Sequence, residues 1–408
     1  MIYELNTDEF YAYGCLYEDW ASIDTEILLT DDVDERFLND ALRTSFERMP
    51  YFKVKIDIAK NPERYVLSTN EEEFYAINNE HFIPLDSKQA RNYLITVSFF
   101  GKYLRMRFSH ALSDGMGMNK FLNSVLKTYF SLKYDLQIVN DSTTTNIDLE
   151  YSNPFDYVQD NDYHLKQEKF DSFSFSKDDV SINRTVLSCI SIPQDSFLKY
   201  SKESESSVAT VAAWILMNAI LDVKGEQVLP LCVDLPFNMR NVLNCKDNMR
   251  NCNVDIELCM TERLRKHDNA FELSCLRGQM FKETFDPCCL SKMEYSKKRW
   301  QEASKINGVE KRCEFYNSND GLSAKPLVSY VGKLDLEQYK SYYEHIYQYL
   351  KVSGEAGILL FVFCERGLFR FCITSSLVDW SKYMEAFTNF LDKIGIPYSI
   401  DEKAQMLD

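Results

Sequence analysis

Phe108-Ser109-His110-Ala111-Leu112-Ser113-Asp114-Gly115 joins an alternating strand to an amphipathic helix, and the reading of the chain turns on it. Upstream, Leu104, Met106 and Phe108 alternate with Tyr103, Arg105 and Arg107, a period of two that predicts a strand with one apolar and one polar face. His110 continues the apolar parity, so its imidazole is expected to point inward, away from bulk water. Downstream, Met118, Phe121, Leu122, Val125, Leu126, Tyr129 and Phe130 recur at helical spacing and form a single apolar stripe. Asp114-Gly115 falls at the helix start. There Asp serves as an N-cap, while Gly admits close approach of another group and leaves its amide pointing outward.

Working outward, Leu94–Phe100 and Tyr103–Phe108 read as a hairpin about Gly101-Lys102 that delivers the chain to His110. Before it, Thr25–Leu29 reads as a strand and Asp34–Met49 as a helix with Phe37, Leu38, Leu42, Phe46 and Met49 on one stripe, closed by Pro50. Phe52–Ile56 and Tyr65–Leu67 read as a strand pair. From Val139 to Asp179 the chain turns polar, and this stretch is the expected connection between two lobes, residues 1–170 and 171–408.

The second lobe opens on the strand Thr185–Ile192, followed by helices near Ser196–Tyr200 and over Val208–Leu221. Gln227–Leu235 is strand-like and runs into Pro236-Phe237-Asn238-Met239-Arg240. Asn269–Arg312 is mostly helical, Leu327–Leu334 is a strand, Ile358–Phe363 and Leu368–Ser375 form a hairpin about Glu365-Arg366-Gly367, and Trp380–Leu391 is a closing helix. That hairpin and helix repeat the opening motif: Phe108 to Gly115 lies residue for residue on Ile373-Thr374-Ser375-Ser376-Leu377-Val378-Asp379-Trp380. The second copy has Ser375 in place of the His and Trp380 in place of the Gly. A duplicated lobe is expected, with its chemistry kept once.

At 408 residues the chain exceeds one ordinary core, and its 45% hydrophobic content suffices to fill two. A net charge of -16 argues against a nucleic-acid partner, which clustered Lys and Arg would hold. The first residues lack a basic segment followed by an apolar run, and no stretch has the apolar length of a membrane span, so a cytoplasmic chain is expected. The twelve cysteines are scattered without a Cys-x-x-Cys pair and are expected to be reduced thiols. Cys245, Cys252 and Cys259 are evenly spaced without His neighbours, and no metal site is expected there.

The His-x-x-x-Asp-Gly stretch in its strand-turn-helix setting resembles the active-site motif of the chloramphenicol acetyltransferase-like, CoA-dependent acyltransferase superfamily, which includes alcohol acetyltransferases, BAHD acyltransferases and peptide-synthetase condensation domains. Two departures are plain. Condensation domains usually carry a second His where Ser109 stands, and the late Asp-Phe-Gly-Trp-Gly of BAHD enzymes is missing. The resemblance implies an α/β chain of two similar lobes, monomeric with pseudo-twofold symmetry, and an active-site tunnel between them.

It further implies that His110 is the general base, a task imidazole suits because its pKa lies near working pH. Gly115 is implied to offer its amide to the oxyanion, and Asp114 to pair with Arg240 of the second lobe, in a segment like the family's Asn-x-Arg strand end that also includes Asn238. Ser329 and Tyr330 fall on the strand implied to line the tunnel opposite His110, and with Asn238 they are the expected substrate contacts. The donor implied is acyl-CoA or acyl-phosphopantetheine, with a small alcohol or amine as acceptor. Lys297-Lys298-Arg299 and Arg263-Leu264-Arg265-Lys266 are candidates for the CoA phosphates, or are solvated helix faces. Two alternatives stay open: an acyl carrier protein as the donor's bearer, and a condensation-like binding module without activity.

Overall fold

The computed structural model describes residues 2–6, 22–137, 150–159, 172–181, 184–319, 325–352, 354–401 and 405–407. Its strands are β1 (Ile2–Glu4), β2 (Ser22–Leu29), β3 (Val54–Ala59), β4 (Arg64–Thr69), β5 (Ile77–Asn78), β6 (Ile95–Phe100), β7 (Tyr103–Ser109), β8 (Thr185–Pro193), β9 (Leu231–Asn238), β10 (Asn253–Met260), β11 (Leu327–Lys333), β12 (Tyr343–Leu350), β13 (Ile358–Glu365), β14 (Leu368–Ser375), β15 (Ser399–Ile400) and β16 (Gln405–Leu407). The α-helices are α1 (Glu35–Arg48), α2 (Gly115–Lys133), α3 (Gln194–Glu203), α4 (Val208–Lys224), α5 (Glu262–Arg265), α6 (Asn269–Thr284), α7 (Asp286–Ser304), α8 (Val309–Asn319) and α9 (Trp380–Lys393). The polar stretch expected to connect the lobes lies largely outside the described residues.

Two mixed sheets organise the chain. The first runs β12-β2-β7-β6-β5, and the second runs β10-β9-β11-β13-β14-β8, with β15 and β16 both pairing to β8. The lobes repeat one plan: β2 and α1, then the hairpin β6–β7 and α2, answer to β8 and α3, then the hairpin β13–β14 and α9. The expected hairpins, their Gly turns and both helices that follow are all present. Side-chain caps fix several of the helix starts. The Asp34 carboxylate accepts from the amides of Arg36 and Phe37, and α1 buries Leu38, Ala41, Leu42 and Phe46. α4, apolar all round, is the central helix of the second core, with Trp214 fully buried and its Nε1 donating to Glu272. No single described helix is long and apolar enough to cross a membrane.

Sequence periodicity misled on one point. Arg105 and Arg107 occupy the non-core face of the first sheet, but that face is not simply solvated. Arg107 forms two 2.7 Å bonds to Asp24, and Arg105 Nε lies 2.7 Å from Glu26. Register places Tyr349 beside Asp24 and Tyr347 beside Glu26, and both tyrosines feel the field of groups on the second sheet, Cys189 among them. The polar parity is therefore a buried seam between sheets, and it is closed by charge pairing.

β12 crosses the expected division at residue 170. It leaves the second half of the chain and pairs antiparallel with β2 along most of its length, Tyr347 opposite Glu26 and Leu350 opposite Ile23. The first sheet is complete only with this strand from beyond residue 340. A chain cut to residues 1–170 would leave β2 as an unpaired edge, and such a fragment is expected to aggregate or stay unfolded by circular dichroism. A soluble fragment that melts cooperatively would contradict this topology.

Candidate active site

The site is built on the turn between β7 and α2. β7 ends at Ser109, whose amide donates to Leu94 O at 2.9 Å and whose Oγ accepts from Ala111 N at 3.2 Å, which bends the chain out of the sheet. His110 sits on that bend. Two residues on, Tyr51 Oη donates to Leu112 O at 2.7 Å. Asp114 then caps α2, its Oδ1 accepting from Met116 N and Gly117 N at 3.1 and 3.0 Å.

Arg240 reaches Asp114 from the second lobe. Its Nη1 and Nη2 each lie 2.8 Å from a different carboxylate oxygen, a bidentate pair with both residues buried. The guanidinium also donates to Asn248 O at 2.7 Å, to Arg250 O at 2.8 Å and to Asn238 Oδ1 at 3.2 Å, while Cys252 N donates to Asp114 Oδ2 at 3.1 Å. Burial alone would raise the Asp114 carboxyl, but Arg240's charge and these bonds outweigh it and hold it below the ordinary value. Asp114 is thus an anion with its oxygens fully engaged.

The loop between β9 and β10 forms a splint over the turn. Ser113 Oγ donates to Met249 O at 2.5 Å, and Asn251 Nδ2 donates to His110 O at 2.7 Å. Two glycines admit this closeness. A Cβ on Gly117 would lie 2.2 Å from Met249 O, and one on Gly115 would lie 2.5 Å from Val331 Cγ1 on β11. The half-buried His110 imidazole is pushed below its ordinary pKa by desolvation, against the opposing charge of Asp114. It is therefore neutral at physiological pH.

The expected substrate residues separate. Ser329 stands in register with Phe361, and Phe361 and Val331 are the side chains against Gly115, so Ser329 shares the face turned to the motif. Tyr330 takes the opposite face, its ring centroid 6.2 Å from Phe369. The Asn238 side chain is committed within the protein, its Oδ1 accepting from Arg240 N at 3.0 Å as well as from Nη1. Of the basic runs, Arg265 bonds to Glu272 at 3.0 Å, Lys298 pairs with Glu294 at 2.6 Å, Lys297 donates to Val158 O, and the Arg299 guanidinium lies 4.6 Å from the Phe315 ring centre.

The expectation of reduced thiols throughout needs correcting: Cys232 and Cys259 form a disulfide. They are 27 residues apart but directly opposite in the β9–β10 register, a proximity that linear spacing hides. Cys245 and Cys252 lie in the splint, their Sγ atoms 3.6 Å apart.

Sequence reasoning missed Gly117, Asn248 and Asn251. Gly117 lies two residues past the motif and was readable only as a helix interruption. The two asparagines sit in a loop where Asn is an ordinary turn former.

No protein-family model and no curated protein sequence matches the chain. Solved structures do. Polyketide synthase associated protein 5 from Mycobacterium tuberculosis aligns over 96% of this chain and 97% of its own, at 12% identity and a TM-score of 0.60. The epimerization domain from the third module of tyrocidine synthetase B aligns over 97% and 96%, at 12% identity and TM-score 0.64. TRI101 of F. graminearum, solved with ethyl coenzyme A, aligns over 98% and 100%, at 10% identity and TM-score 0.66. The chain has the two-lobed α/β fold of these solved structures, a fold also seen in the first condensation domain of the CDA synthetase.

Removing Arg240 alone strands a buried carboxylate. Arg240→Ala is expected to cost about 3–5 kcal/mol in urea unfolding, and Asp114→Ala/Arg240→Ala clearly less than the sum of the single changes. Because the Asp114 pKa is depressed, its share of stability is complete above about 4, the unfolded value, and is lost as pH falls through the folded value. Additive costs in the cycle would contradict the pairing.

Proposed function

We propose that the protein is an acyltransferase that moves an acyl group from a thioester to a hydroxyl or amine, with His110 as general base. The observation that carries this reading is the division of labour in the motif. Asp114 is spent on Arg240, the α2 amides and Cys252 N, which leaves the neutral imidazole as the group free to take a proton. An imidazole kept uncharged by desolvation is ready to act as a base at neutral pH.

In the proposed reaction a ring nitrogen of His110 takes the acceptor proton as the acceptor oxygen or nitrogen bonds to the thioester carbonyl carbon. The negative charge that develops on the carbonyl oxygen is met by the Gly115 amide, one of the open N–H groups at the start of α2, and by the Ser329 hydroxyl on the facing strand. The intermediate collapses, the carbon–sulfur bond breaks, and the imidazolium returns its proton to the departing thiolate. The donor we favour is acyl-CoA, since neighbours of this fold were solved with coenzyme A. Its thin pantetheine arm suits a tunnel between lobes. With both lobes in one chain the site needs no second copy, which supports a monomer.

The test is acceptor-dependent release of CoA, followed by mass spectrometry with acetyl- and longer acyl-CoAs against pooled alcohols and amines. His110→Ala is expected to lower turnover by about 10²–10⁴-fold. In the wild type, kcat/KM is expected to fall on acidification with a midpoint below the ordinary imidazole value of about 6.5, because the base works unprotonated and burial lowers its pKa. Competition by an acylated carrier protein against acyl-CoA separates the two donors. Undiminished turnover in His110→Ala would overturn the assignment of the base.

A further inference from the structure

Asn251 is one of the most enclosed polar residues of the site, 1% exposed, and its two side-chain ends do different things. Nδ2 donates to the His110 backbone oxygen at 2.7 Å. Oδ1 is buried and, among the described residues, has no hydrogen-bond donor in range. A buried amide oxygen without a donor costs about 1–3 kcal/mol, so its retention calls for an explanation.

Chain geometry here does not rest on Asn251 alone. The splint is already pinned to the turn without Asn251: Ser113 holds Met249 O, Arg240 holds Asn248 O and Arg250 O, and Cys252 N meets Asp114. Asn248 provides the local turn bond, its Oδ1 accepting from Arg250 N at 2.9 Å, and it anchors the loop to Ser152 O at 2.8 Å. Asn251 is the member of the loop that addresses His110 itself.

We propose that Asn251 is a positioning residue for His110: Nδ2 fixes the His110 backbone oxygen, and Oδ1 faces the imidazole and holds it in the orientation and tautomer from which it accepts a proton. This rests on the reading of His110 as the general base. It also accounts for an oxygen with no donor in range: the nitrogen turned toward Oδ1 is the one that keeps its N–H while the other takes the acceptor's proton, and that N–H becomes a stronger donor, able to close on Oδ1, once the ring is charged. The arrangement stabilises the imidazolium as it forms without placing a second charge beside it. The ring's interactions fit: Asn251 and the His110 backbone oxygen both favour its charged form, against desolvation.

The charges around the ring define the test. Asp114 on the ring's own turn acts on it directly and is paired with Arg240 from the splint loop, and Lys120 on α2 feels both members of that pair together with Asp247 on the splint and Glu150. With these unchanged, replacing Asn251 isolates its contribution. The readout is the titration of His110 by NMR in protein carrying ring-labelled histidine, the His110 signal being the one of five that is lost in His110→Ala. In Asn251→Ala the midpoint is expected to move down, and in Asn251→Asp, where a carboxylate replaces the amide, to move up. The acid limb of kcat/KM should follow in the same directions, and kcat in Asn251→Ala should fall about tenfold, the value of one hydrogen bond, with KM little changed. Asn251→Ser, which keeps a donor for the His110 oxygen, provides the same comparison if the Ala protein does not fold.

Midpoints that stay at the wild-type value, or that move in one direction in both variants, would overturn the positioning role and leave the acyltransferase reading standing. Absence of wild-type turnover with every donor and acceptor would overturn that reading instead, while the NMR titration, which needs no substrate, still decides on Asn251.

Discussion

The ion pair between Asp114 and Arg240 joins the two halves of the chain beside His110. Burying two charges costs several kcal/mol per ion unless nearly every donor and acceptor finds a partner. That requirement organises the surroundings: the α2 amides and Cys252 N complete the carboxylate, and the carbonyls of Asn248 and Arg250 with Asn238 Oδ1 complete the guanidinium. Each partner fixes a stretch of backbone. The helix start, the β9 end and the splint loop are set by the needs of one charge pair, and the bend that presents His110 is enclosed among them.

The same economy recurs where the sheets face each other. Asp24 with Arg107, Glu26 with Arg105 and Glu365 with Arg370 are buried pairs on facing sheets. Directional contacts of this kind fix orientation more sharply than apolar packing, which tolerates sliding. β12 adds a covalent constraint, since a strand from the second half completes the first sheet. These pairs lie within each sheet, so the two halves are joined by β12 and by the Asp114–Arg240 pair, and a site at that junction keeps its geometry for that reason.

How much of this was legible follows from the range of each interaction. Strands and helices with one buried face announced themselves locally: the β6–β7 hairpin, α1, α2, α4 and α9 stand where periodicity put them, to within a few residues. β10 and β12 were overlooked although Val254, Ile256 and Leu258 alternate plainly and Tyr343–Leu350 is rich in β-forming tyrosine. The partnership of Asp114 with Arg240 came through family likeness, since 126 residues separate them. Asn251, the Cys232–Cys259 disulfide and the charge-paired seam depend on which residues tertiary structure brings face to face, and no local pattern encodes that. Tyr330 and Asn238 show the converse. A strand's parity and a side chain's existing bonds decide what it can offer a ligand.

The most direct test of this account keeps the charge and removes the fork. Arg240→Lys preserves a cation beside Asp114 but not the two parallel bonds or the donors to Asn248 O and Arg250 O. The variant, confirmed folded by cooperative melting, should transfer acyl groups at least about tenfold more slowly than wild type, the effect of losing one such bond. Full turnover in a folded Arg240→Lys protein would show that His110 does not depend on the ion pair for its geometry, and would contradict the account.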